Sequence, residues 1–88
     1  MNYCFTPNGW EDYLFFEQNG KATSRKINGL LKDIARRGPA EGLGKPEPLS
    51  DNLRGYYSRR IDAKNRLVYS CEGENIVVLS CRFHYSDH

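Results

Sequence analysis

Glu47 stands between two prolines, in Lys45-Pro46-Glu47-Pro48-Leu49. Proline on either side restricts the backbone and excludes regular helix, so this carboxylate can be held and aimed. Near the C-terminus, Arg82 and His84 alternate with Phe83 and Tyr85, which sets a guanidinium and an imidazole beside two aromatic rings. Carboxylate and imidazole are groups that take and give protons. A guanidinium is a fixed cation with a planar fork of donors suited to phosphate. Arg59, Arg60 and Arg66 add further cations. A solvated glutamate in a rigid turn and an ordinary exposed sheet face are the plainer readings of the same residues.

The charge distribution bears on the partner. The chain has 88 residues and a formal net charge of +2. Residues 1–20 carry −3, residues 21–66 carry +7 and residues 67–88 carry −2. A basic middle suits a polyanion such as nucleic acid, although a solvated basic helix face gives the same count. Cys4, Cys71 and Cys81 are odd in number and far apart, with no Cys-x-x-Cys pair or Cys/His cluster. They read as reduced, buried thiols of a cytoplasmic protein, with no metal site. Residues 1–16 hold Glu11 and Asp12 and no basic n-region, so no secretory signal is expected. No apolar run approaches the ~20 residues of a membrane span, and no membrane partner is expected.

The elements that must position these groups follow from local pattern. Tyr3-Cys4-Phe5 reads as a first strand. Thr6 as N-cap and Pro7 at the first helical position open a helix to about Asn19-Gly20, with Trp10, Tyr13 and Leu14 on one face and Glu11 and Asp12 in its early turns. A second helix runs from about Thr23 to Arg37, with Ile27, Leu30, Leu31 and Ile34 at i, i+3, i+4, i+7. Residues 39–52 carry three prolines and two glycines and read as an ordered surface loop. Three strands follow, at 53–61, 66–71 and 75–85, joined by tight turns.

Along the second of these strands Leu67, Tyr69 and Cys71 face one way. In the last strand one alternating set is Val77, Leu79, Cys81, Phe83 and Tyr85; the other is Ile76, Val78, Ser80, Arg82 and His84. If Leu67, Tyr69, Val77, Leu79 and Phe83 face the helices, then Arg60, Arg66, Arg82 and His84 share the opposite face, with aromatics near enough to stack on bases. A one-residue slip reverses that assignment. The expected fold is α+β, ordered β-α-α-β-β-β, with two helices on one face of an antiparallel twisted sheet. Residues 1–85 form a single domain and 86–88 a short tail.

Six blocks together resemble a known family: Gly9-Trp10-Glu11-Asp12-Tyr13, Lys26-Ile27-Asn28, Gly44-Lys45-Pro46-Glu47-Pro48-Leu49, Ser58-Arg59-Arg60-Ile61, Arg66-Leu67-Val68-Tyr69 and Cys81-Arg82-Phe83-His84-Tyr85. In order and spacing they are similar to the YoeB/Txe toxins of bacterial toxin–antitoxin modules. The resemblance implies a RelE/ParE-like fold and an mRNA interferase that cleaves messenger in the ribosomal A site. It implies as partners mRNA on the 70S ribosome with its 16S rRNA, a YefM-like antitoxin and, as one assembly, a homodimer. It implies Glu47, Arg66, His84 and Tyr85 as catalytic residues, Lys45, Arg59, Arg60 and Arg82 as RNA contacts, and no cofactor.

The residue types fit that chemistry. RNA carries its own nucleophile, the 2′-hydroxyl beside the scissile phosphate. Cleavage needs a base for its proton, an acid for the departing 5′-oxygen and positive charge at the phosphorane. Glu47 serves as base, His84 as acid and Arg66 as clamp; Tyr85 orients the phosphate or stacks on a base. A free glutamate is a weak base, with a pKa of about 4.3, so His84 as base remains a variant. Two features depart from the family pattern: Ser86-Asp87-His88 follow the His-Tyr pair, and Ser50 stands where many members carry a basic residue. A non-catalytic gyrase inhibitor of the ParE kind and a plain RNA-binding module are the alternatives on the same fold.

Overall fold

The computed structural model describes residues 1–83; His84, Tyr85 and the expected tail at 86–88 lie outside the described residues. The elements are β1 (Asn2–Phe5), α1 (Pro7–Asn19), α2 (Lys21–Arg37), β2 (Glu47–Pro48), a single 3-10 turn (Asp51–Leu53), β3 (Tyr57–Arg60), β4 (Arg66–Glu72) and β5 (Asn75–Ser80). The sheet order is β1-β5-β4-β3-β2.

α1 starts as its sequence dictates. Thr6 Oγ1 accepts the Gly9 N–H at 3.0 Å, and Pro7 needs no N–H partner at the first helical position. Gly20 serves both helices. Its N–H donates to the Phe16 carbonyl, and its own carbonyl accepts from Ser24 N. α2 buries Ile27, Leu30, Leu31 and Ile34, as their spacing requires. Ile27 and Ile34 are fully buried, each contributing about 1.5–3 kcal/mol of apolar burial. They meet Phe16 of α1 and Leu67, Tyr69, Ile76, Val78 and Cys81 of the sheet side in one core.

Four expectations are corrected. The sheet is mixed, because β1 pairs parallel with β5; the long connection between them carries the chain back to the same end, as a parallel pair needs. A fifth strand, β2, lies inside the stretch read as loop. It pairs antiparallel with β3, Glu47 opposite Ser58 and Pro48 opposite Tyr57. Two prolines hide it from any propensity reading, yet an outer strand tolerates them.

On α1 the sheet-facing residues are Gly9, Asp12 and Phe16, whereas Trp10 is 47% exposed. A Cβ at Gly9 would stand 2.4 Å from the Val78 carbonyl oxygen, so glycine is what lets the helix sit on β5. Asp12 does not serve the helix dipole. Its carboxylate accepts the backbone N–H groups of Cys81 and Arg82 at 3.0 and 3.3 Å.

The last correction concerns β5. The strand ends at Ser80, and residues 81–83, the last of the expected strand among the described residues, lie outside it. Its core-facing residues are Ile76 and Val78, not Val77 and Leu79. Tyr69 pairs with Val78 and Val68 with Ser80, which leaves Leu79 as an extra residue in a bulge. The Leu79 carbonyl accepts from Thr6 Oγ1 at 3.0 Å, so the start of α1 docks on the bulge. The bulge inverts the alternation, which is how Cys81 returns to the core.

Candidate functional site

On the sheet face away from the helices, one row runs across four strands: Glu47, Ser58, Val68 and Ser80 are successive pairing partners. Arg60 and Arg66 oppose each other in the neighbouring β3–β4 pair. Glu47 Oε1 lies 3.6 Å from Arg66 Nη1 and accepts from Ser58 Oγ at 3.5 Å. The carboxylate is half exposed, at 51%, while the Arg66 side chain is 19% exposed. A partly buried guanidinium beside an accessible carboxylate at 3.6 Å is a loose ion pair, open to a third group.

The backbone explains how Glu47 reaches this face. The Arg60 N–H donates to the Gly44 carbonyl at 2.7 Å and the Leu49 N–H to the Tyr56 carbonyl at 2.9 Å, on either side of β2. The carboxylate is therefore fixed by sheet pairing as well as by its two prolines.

Cys81-Arg82-Phe83 carries the chain past β5. The Phe83 N–H donates to Asn65 Oδ1 at 2.6 Å, and the Arg66 N–H donates to the Phe83 carbonyl at 3.1 Å. Phe83 has φ +66°, a left-handed conformation uncommon for a bulky residue. The last described residue is thus tied to the backbone of Arg66. His84 and Tyr85 themselves lie outside the described residues.

The remaining candidates separate. Arg60 is exposed, and Lys45 is exposed two residues before Glu47. The Arg82 guanidinium lies 3.6 Å from the centre of the Phe15 ring and 4.6 Å from that of Phe83. Arg59 is withdrawn as a phosphate contact, because it is fully buried. Its Nε donates to Tyr69 Oη at 2.9 Å. Nη1 donates to Asp33 Oδ2 at 2.7 Å and the Leu43 carbonyl at 2.9 Å, and Nη2 to the carbonyls of Gly38 and Glu41 at 3.0 and 2.6 Å.

All five Arg59 donors are used inside the fold, and they shape the loop that leads to Glu47. The Leu43 N–H, then the Arg59 hydrogen bond, hold the Asp33 carboxyl below its ordinary range against the opposing effect of burial. Gly42, at φ +116°, is required there: a Cβ would fall 2.0 Å from Asp33 Oδ2. Sequence reading missed this buried pair, although the alternation that places Ile61 in the core places Arg59 there too.

Burial, then the nearby Asp12 carboxylate, pushes the Cys81 thiol up to about 12, which leaves it inert. Among the described residues, no three His, Cys, Asp or Glu side chains converge as metal ligands would. No helix among them is long and apolar enough to cross a membrane. What the described groups can do is hold a carboxylate beside the Arg66 guanidinium, with Arg60 paired opposite Arg66 in the sheet.

A family model described as the YoeB-like toxin of bacterial type II toxin–antitoxin systems matches residues 5–85. Toxin YoeB of Synechocystis is 52% identical over 85 residues, covering 97% of this chain and 98% of that protein. Solved structures of the YoeB–YefM complex and of a YoeB dimer, both from Staphylococcus aureus, each superpose with a TM-score of 0.91 at 52% identity, covering 97% of this chain and 98% of theirs. YafQ from Escherichia coli, at 14% identity and a TM-score of 0.77 over 97% of this chain and 94% of that one, shares the fold.

Proposed function

Because this chain belongs to the YoeB-like toxin family of bacterial type II toxin–antitoxin systems, we propose that it is a ribosome-dependent endoribonuclease that cuts messenger RNA in the A site. The observation that carries the reading is the placement of Glu47 and Arg66, 3.6 Å apart on an open basic sheet face. In the proposed reaction Glu47 removes the proton of the 2′-hydroxyl. The 2′-oxygen attacks the adjacent phosphorus, and Arg66 neutralises the charge gathering on the phosphorane oxygens. The bond from phosphorus to the 5′-oxygen breaks, and His84 gives that oxygen its proton. The products are a 5′-hydroxyl and a 2′,3′-cyclic phosphate, or the 3′-phosphate that its hydrolysis gives. The nucleophile comes from the substrate, so the reaction as written uses no metal ion. His84 follows Phe83 in the chain, and the Phe83 carbonyl accepts the Arg66 N–H. That adjacency supports His84 as the acid and Tyr85 as a phosphate or base contact. Arg60, Lys45 and Arg82 remain proposed RNA contacts.

Partners follow in the same voice. A YefM-like antitoxin would neutralise the protein through an acidic segment that orders on binding to the basic middle of the chain. A second copy is a further partner, because the S. aureus relative forms a dimer and exposed Trp10 stacks on Tyr13 beside exposed Tyr3 in an aromatic cleft. The test is to add the protein to translating ribosomes and map new 5′-hydroxyl ends. Cuts within A-site codons are expected. Intact message with stalled gyrase would instead support a ParE-like inhibitor, and intact message with bound RNA a binding module.

A further inference from the structure

A groove of about 440 Å³ opens between α2 and the loop that leads to Glu47, lined by Lys26, Gly29, Leu30, Leu43, Lys45 and Arg60. Among the described residues no acidic side chain lines it. Three cations rim it, and Leu30 and Leu43 supply apolar wall. Leu43 is an exposed large hydrophobic residue with no evident packing duty for its outer surface.

Gly29 is the informative member. It lies inside α2, where glycine is a poor helix former. A Cβ there would meet no atom within 4 Å, so no close contact inside the chain requires the missing side chain. Its effect is to leave the helix wall of the groove bare. Gly44 and Lys45 have φ of +82° and +52° in succession. That turn brings Lys45 to the groove, with Glu47 two residues on at the Arg66 face. Arg60 joins the two, lining the groove and standing opposite Arg66.

We propose that this groove holds a nucleotide neighbouring the scissile phosphate. Its base lies against Leu30, Leu43 and the bare wall at Gly29, and its backbone phosphate meets Lys26, Lys45 and Arg60. The proposal rests on the reading of Glu47 and Arg66 as the cleavage site and extends it to a subsite. The volume suits one nucleotide, at the small end of ligand pockets. An apolar wall with cations at its rim matches a base and its phosphate, and a guanidinium plane also stacks on bases.

Gly29→Gln fills the wall and Lys26→Ala removes one cation, and neither touches Glu47 or Arg66. On ribosome-bound message each is expected to raise KM about 5–50-fold with kcat within about twofold. Gly29→Gln should melt no lower than the parent, because glutamine is the better helix former. Unchanged KM in both variants, with the parent cutting normally, overturns the subsite. A second measurement does not depend on cleavage: amide shifts of the protein titrated with a short 2′-O-methyl RNA. Salt-sensitive shifts at Gly29 and Leu43 are expected. No shift there, or shifts given only by an acidic peptide, overturns the proposal. Shifts there from a parent protein that does not cut support the groove as an RNA site and sink the Glu47–Arg66 reading instead.

Discussion

Arg60 and Arg66 stand directly opposite each other across β3 and β4. Like charges at opposed positions weaken a sheet, and the loose contact of Arg66 with the half-exposed Glu47 at 3.6 Å offsets this only in part. Local rules broken without an internal gain cluster at functional sites. Arg66→Ala is therefore expected to leave the melting temperature unchanged or raise it by about 2–4 °C. Cleavage of ribosome-bound message should fall by about 100-fold or more. Calorimetry beside a cleavage assay checks both, and a large thermal loss would make Arg66 a structural residue.

Arg59, the chain neighbour of Arg60, should behave in the opposite manner to Arg66. Its guanidinium is buried among five acceptors from Asp33, Tyr69 and the 38–43 loop. Arg59→Leu leaves those acceptors unpaired and should lower the melting temperature by more than about 10 °C. Arg60→Leu should lower it by less than about 4 °C. Equal losses for the two would contradict the assignment.

The same network sets acid sensitivity. In the folded chain the Leu43 N–H and then Arg59 hold the Asp33 carboxyl below its ordinary value of 3.8. A depressed carboxylate contributes stability that is fully present above the unfolded value and is lost as pH falls through the lower folded one. Unfolding midpoints in urea from pH 7 to pH 2 should show that loss. Asp33→Asn should be the weaker protein at pH 7 and should narrow its deficit below about pH 3.8. A constant deficit across the range would exclude this linkage.

The Cys81 thiol, pushed up to about 12 by burial and Asp12, carries almost no thiolate at pH 8. Iodoacetamide should alkylate it only at the rate at which the core opens, faster in Asp12→Ala. Mass spectrometry of timed samples reads this directly. Rapid labelling of Cys81 in the folded protein would place it outside the core.

Much of this was legible in the residues, for identifiable reasons. Ile27, Leu30, Leu31 and Ile34 announce α2 because packing reinforces their spacing. Thr6-Pro7 announces α1 because a cap is a local event. β2 was hidden because an outer strand built on sheet pairing can carry the prolines that argue against it. The faces of β5 were misread because the bulge at Leu79 depends on the docking of Thr6 from the other end of the chain. The proximity of Glu47 and Arg66 rests likewise on pairing across three strands. The block of motifs, not periodicity, pointed to these two residues.

The most direct test of the account is single-turnover cleavage of ribosome-bound message by the parent, Glu47→Ala and His84→Gln. The account expects 5′-hydroxyl ends from the parent, with 2′,3′-cyclic phosphate or 3′-phosphate ends. It expects losses of about 100-fold or more in each variant, with melting temperatures near the parent's. Cleavage at the parental rate by either folded variant would contradict it.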